Sequence, residues 1–158
     1  MRIFRTFLPL LLFSATLLGL AQTTSGESPK PESAQSLVSA SKVKVPPGGV
    51  EILSDTQGVD LRPWLKDWRQ VTDKTWDPLK PDEVKPPALK SGLVAIRFKV
   101  LPNGRLAQGS MVLESRSGDV ALDRAAWGAL TGSDYPALPS DFKGPYLEMR
   151  AYFLYNVK

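Results

Sequence analysis

The chain has 158 residues, 42% hydrophobic, 23% charged and 9% aromatic, a globular composition with room for one domain and a tail. It contains no cysteine and no histidine, which excludes disulfides, thiolate nucleophiles, iron–sulfur sites, Ser–His pairs and the commonest zinc ligand. Lys and Arg number 20 against 16 Asp and Glu. Arg2 and Arg5 in the first segment supply half of that excess, and no basic run interleaves with aromatics, so nucleic-acid binding gains no support.

Residues 1–21 read as a cleaved signal peptide. Arg2 and Arg5 form a positive start, Phe7 to Leu20 is an apolar run, and Gly19-Leu20-Ala21 presents small residues for cleavage after Ala21. The competing reading is an uncleaved anchor, but a spanning helix needs about 20 apolar residues. Export to the periplasm is therefore expected, with inner-membrane anchoring as the alternative. No cysteine follows the apolar run, so a lipid anchor is excluded.

Residues 22–58 are rich in Ser, Thr, Pro, Lys and Glu and show no apolar period. Pro29, Pro31 and Pro46-Pro47-Gly48-Gly49 interrupt any regular element, so the segment reads as a flexible linker. Within it Val43, Val45, Val50, Ile52 and Leu53 leave open a short strand or local docking. Ser39-Ala40-Ser41-Lys42 fits an S-x-x-K pattern, but it lies in the linker without companion motifs, and chance alone supplies such a match.

A domain is expected over 59–158. Asp60 is a good helix cap and Pro63 falls in the first turn. Leu61, Trp64, Leu65, Trp68, Val71 and then Thr75 or Trp76 recur at helical spacing, so an amphipathic helix of about four turns runs to Pro78. After a proline-rich loop, Val94, Ile96, Phe98 and Val100 alternate with Ala95, Arg97 and Lys99 as a half-buried strand. Asn103-Gly104 predicts a two-residue hairpin turn into a second strand, Arg105 to about Ser115. Ser117-Gly118-Asp119 opens a second helix with the small face Leu122, Ala125, Ala126, Ala129 and Leu130. Gly144-Pro145 introduces the last strand, Tyr146 to Asn156.

The order helix, strand, strand, helix, strand predicts an α+β fold. Its three-stranded antiparallel sheet has order 2-1-3 (1-2-3 being the alternative), with both helices on one face. In either order the last strand lies at an edge. A long aromatic edge without proline invites a partner strand. Asp82-Glu83 reads as solvated loop rather than a carboxylate pair for chemistry; instead of binding a cation, Asp119 favours the helix N-terminus and Asp123 pairs with a neighbouring base or stays solvated. Trp127 is left open between core and contact residue.

From Gly92 to Asn156 the chain resembles the C-terminal domain of the TonB family, and more loosely that of TolA. The resemblance is carried by Gly92-Leu93-Val94-Ala95-Ile96-Arg97-Phe98, Pro102-Asn103-Gly104-Arg105, Ser117-Gly118-Asp119 with Leu122-Asp123-Arg124-Ala125-Ala126, and Gly144 before the aromatic strand. It implies a non-enzymatic periplasmic module for TonB-dependent transport, binding an outer-membrane transporter segment or other cell-envelope protein by strand addition. The partner-binding residues would be Tyr146, Leu147, Glu148, Met149, Arg150, Ala151, Tyr152, Phe153, Leu154, Tyr155 and Asn156, with no catalytic residue, cofactor or metal. Family transducers also carry a histidine-bearing membrane helix and a long spacer, neither of which this sequence shows. An anchored energy transducer, or a structural protein that forms a homodimer through the edge strand, are the alternatives.

Overall fold

The computed structural model describes residues 44–157. The expected signal peptide, most of the linker and Ser39–Lys42 lie outside the described residues. Among the described residues no helix is long and apolar enough to cross a membrane.

Helix α1 spans Arg62–Trp76 and buries Trp64, Trp68, Thr72 and Trp76, a stripe at four-residue spacing. The Asp60 carboxylate accepts the first helical N–H, from Arg62, at 3.0 Å, and Pro78 lies in the 3-10 turn Asp77–Leu79 that closes the helix. Thr72 survives in the core because its hydroxyl donates back to the Trp68 carbonyl at 2.8 Å. Helix α2 spans Val120–Thr131; Asp119 caps it by accepting from the Ala121 and Leu122 N–H groups. Asp123 accepts from the Ser117 N–H and hydroxyl, which fixes the chain entering the helix. Lys90 reaches Asp119 at 2.6 Å. Asp119 thus caps the helix as the sequence suggests, while Asp123 takes the Ser117 N–H and hydroxyl instead of a basic side chain.

Strand β1 is Val50–Ile52, β2 is Gly92–Val100, β3 is Val112–Ser115 and β4 is Leu147–Tyr155. The fold is α+β with a four-stranded antiparallel sheet in the order β1-β4-β2-β3. The expected three strands keep their 2-1-3 order inside it, and the correction is the fourth. A piece of the segment read as linker pairs with β4, so the last strand is not an edge. Val50, Glu51 and Ile52 face Ala151, Arg150 and Met149.

Two further differences concern the hairpin. Leu101 N–H donates to Arg105 O and Gly104 N–H to Leu101 O, which makes a three-residue loop with Gly104 at φ 84° instead of a two-residue turn. The returning strand does not start at Arg105. Leu106 makes an isolated bridge to Val100, then a turn at Ala107–Ser110, with Gly109 at φ 69°, lifts the chain off the sheet. Pairing resumes at Val112.

The core lies between the two helices and one sheet face. Val94, Ile96, Phe98 and Val100 from β2 join Leu147, Met149, Ala151, Phe153 and Tyr155 from β4 and the small face of α2. Trp68 stacks on Phe98 and Tyr135 at 6.0 Å, and Trp76 meets Phe153 and Tyr155 edge-on. The Tyr155 hydroxyl accepts from the Trp76 indole N–H and donates to the Leu122 carbonyl, both at 2.8 Å. One oxygen thus ties both helices to β4, and burial pushes that phenol up to about 12, so it stays a donor.

Candidate functional site

The last strand divides by alternation. Leu147, Met149, Ala151, Phe153 and Tyr155 point into the core and are buried, so their side chains serve packing. Glu148, Arg150, Tyr152 and Leu154 point to the opposite face. Tyr146 and Asn156 fall outside β4: the Lys99 ammonium sits 4.1 Å over the Tyr146 ring, and Asn156, at φ 47°, donates its amide to the Val84 and Lys90 carbonyls. These two end the strand and are not in its hydrogen-bonding register.

The backbone alternates too. Leu53 and Ser54 N–H groups donate to the Glu148 carbonyl, at 2.8 and 3.3 Å, and the Glu148 N–H donates to the Ser54 hydroxyl. Glu148 therefore presents its backbone groups to β1. By the two-residue repeat so do Arg150, Tyr152 and Leu154, while their odd-numbered neighbours pair with β2. The edge available for strand addition is this even-numbered set, and β1 covers its first half.

How β1 reaches the edge follows from local chemistry. Pro46 and Pro47 stiffen the approach. Gly48 and Gly49, at φ 81° and 67°, then turn the chain in a conformation that side chains disfavour. Arg69 on α1 donates to the Gly48 carbonyl at 3.0 Å, and Gly49 passes so close that a Cβ there would lie 2.8 Å from Arg69 Nη1 and 3.2 Å from Tyr152 O. Val45 packs on the sheet's outer face against Leu93, Ala95 and Tyr152. That is why Tyr152, directed away from the core, is only 5% exposed.

The same face carries an ion-pair ladder across all four strands. Arg97 and Arg150 are directly opposed on β2 and β4, a destabilising pairing by itself. Glu114 on β3 accepts from both, Glu148 accepts from Arg97 at 2.8 Å, and Glu51 on β1 accepts from Arg150 at 2.8 Å. The Tyr152 hydroxyl adds a 3.2 Å bond to Glu51. The guanidinium of Arg150, then that of Arg97, holds the Glu114 carboxyl below its ordinary range.

A group so lowered contributes fully above its unfolded value, and the contribution disappears as pH falls through the folded one. Glu114→Gln should therefore be less stable than the parent at neutral pH. The difference should shrink on acidification below the ordinary carboxylate range, as read from urea midpoints at several pH values. A gap that stays constant with pH would remove Glu114 from the ladder's energetics.

Other residues weighed from sequence are placed as follows. Asp82 pairs with Lys85 at 2.7 Å on the surface, and Glu83 is exposed. Trp127 is 38% exposed and lines a shallow hollow with Leu106 and Met111. The short strand left open in the run Val43, Val45, Val50, Ile52 and Leu53 forms over Val50–Ile52. Sequence reasoning did not identify its partner, nor Glu51, Ser54, Arg69 and Val45 as neighbours of the last strand. In comparisons with known proteins, no family model matches the chain and no curated protein gives a match.

Proposed function

We propose that the chain is an exported, non-enzymatic protein-binding module of TonB C-terminal type. It acts in the periplasm and takes an extended segment of an outer-membrane transporter or another cell-envelope protein as an added strand on β4. One observation carries the reading: the outer edge of β4 accepts a strand, since β1 is seated there by three residue pairs. Capture then proceeds by exchange, in which the partner's segment replaces β1 and extends along Tyr152 and Leu154, past the β1 register. Main-chain hydrogen bonds supply most of the affinity in such additions. Pairing of two copies through the same edge would require the same exchange.

The test uses labelled full-length protein and synthetic N-terminal segments of outer-membrane transporters. Amide shifts should concentrate on Glu148, Arg150, Tyr152, Leu154 and Val50–Ile52. Alternation chooses the variant. Ala151→Pro would break the ladder to β2 and threaten the fold, whereas Leu154→Pro removes an outward N–H. Leu154→Pro should weaken binding about five- to tenfold, the worth of one hydrogen bond, and exposed Lys66→Ala should leave it unchanged. Segments that bind while leaving the β4 amides unmoved would refute strand addition at this edge.

A further inference from the structure

Strand β1 occupies the outer edge of β4. Three features mark it as replaceable. It is three residues long, and all three are only partly buried. Its flanks are conformationally permissive, with Gly48 and Gly49 before it and Gln57 and Gly58, at φ 56° and 76°, after it. And the sheet behind it is complete without it, because β2 and β4 pair over their full lengths from Gly92↔Tyr155 to Val100↔Leu147.

The charges say what the vacated edge would select. With β1 in place, Glu51 is held by Arg150 Nη1 and the Tyr152 hydroxyl. Without it, the outer face of β2, β3 and β4 keeps Arg97, Lys99 and Arg150 against Glu114 and Glu148, an excess of one positive charge. Arg150 still has Glu114, so no cation is stranded, but it has lost the second carboxylate that offset its opposition to Arg97. A segment delivering an acid there restores that arrangement, and one delivering a cation meets two guanidinium groups. On either side of Glu51, Val50 and Ile52 direct their side chains toward the core face beside Ala151 and Met149, which suits branched apolar residues.

Resting on the proposed capture at β4, we propose that β1 is an internal mimic of the ligand. The β4 edge selects an extended segment of pattern apolar–acid–apolar, laid antiparallel against Met149–Ala151, with its carboxylate held by Arg150 and Tyr152.

The probe is the fluorescein-labelled peptide Gly-Gly-Val-Glu-Ile-Leu-Ser, the sequence of residues 48–54, titrated into the full chain and into Glu51→Lys and followed by anisotropy. Glu51→Lys sets two cations together and releases the internal strand, so it should bind the probe at least about tenfold more tightly than the parent does. A probe with Lys in place of Glu should bind that protein at least about tenfold more weakly. Adding Arg150→Gln should reduce this discrimination to within about threefold, because the cation that reads the charge is gone. Equal binding of the Glu and Lys probes overturns the acid selection while leaving capture at β4 standing. No binding of either probe by the released chain overturns capture at β4 and the mimicry with it. Should Glu51→Lys lose its far-UV helix signal, Gly49→Val releases the same strand from its other end, by the contacts with Arg69 and Tyr152 given above, and the probe series is read on that chain.

Discussion

Trp68→Ala should lower the unfolding free energy by about 3–5 kcal/mol, measured from urea unfolding followed at 222 nm. The side chain has no exposed surface, and its ring lies between Phe98 and Tyr135, joining α1 to the central strand β2 and to the loop after α2. Truncation leaves a hollow that three elements would have to close together, and close-packed interiors relax only in part. Against a domain stability of about 5–15 kcal/mol, that loss brings the protein near its unfolding threshold. Trp68→Phe keeps a ring against both neighbours and discards an indole N–H that has no hydrogen-bond partner among the described residues, so it should cost less than half as much. Equal losses from the two variants would show that the aromatic stack is not what holds α1 to the sheet.

Gly104→Ala should cost about 2–5 kcal/mol in the same assay, combining backbone strain with overpacking. Gly104 sits at φ 84°, and a Cβ there would fall 2.4 Å from the Tyr135 carbonyl oxygen and 2.7 Å from that of Pro136. Both obstacles are backbone, and the loop holding them is itself tied down: the Leu138 N–H donates to Pro102 O at 2.9 Å, and the Trp64 indole donates to Pro136 O at 2.9 Å. Neither side can step away without losing one of those bonds. Gly109→Ala supplies the internal comparison. It has φ 69° with nothing within 4 Å of the added carbon, so it pays conformational strain alone. A Gly104→Ala loss no larger than that at Gly109 would mean that the contact with the Tyr135–Pro136 loop yields freely.

These two positions differ in how much the sequence says about them. The Trp64, Trp68, Trp76 stripe is legible because helical spacing and large apolar side chains agree over four turns. Asn103-Gly104 announces a turn, but the choice between a two- and a three-residue loop depends on where the Tyr135–Pro136 segment packs, and no local pattern carries that. The second strand reads as continuous from Arg105 because alternation persists through Ala107–Ser110, while Gly109 and the Ser110 hydroxyl, which donates to Ala107 O at 2.7 Å, favour a turn.

At the candidate site the inward half of β4 was legible by period two. The state of its outer edge was not. Three residues bounded by prolines and glycines are too few to establish a strand by pattern; what makes Val50–Ile52 one is the template offered by β4, about 100 residues away in sequence. The burial of Tyr152 is hidden for the same reason, since its cover, Val45, arrives from the other end of the chain. Expectations drawn from the last strand's own residues held for its packing and failed for its surroundings.

The position of β4 in the sheet also orders the events of folding. Among the described residues it is the strand that joins β1 to the β2–β3 hairpin, it holds both helices through the Tyr155 hydroxyl, and it occupies residues 147–155. While the chain is being synthesised, α1 and the hairpin emerge well before the strand that unites them. Until Tyr155 is free, β1 has nothing to pair with and the apolar face of α1 has half a core. The long-range pairings that define the sheet cannot form early. Completion of the sheet therefore waits on the last strand to be made.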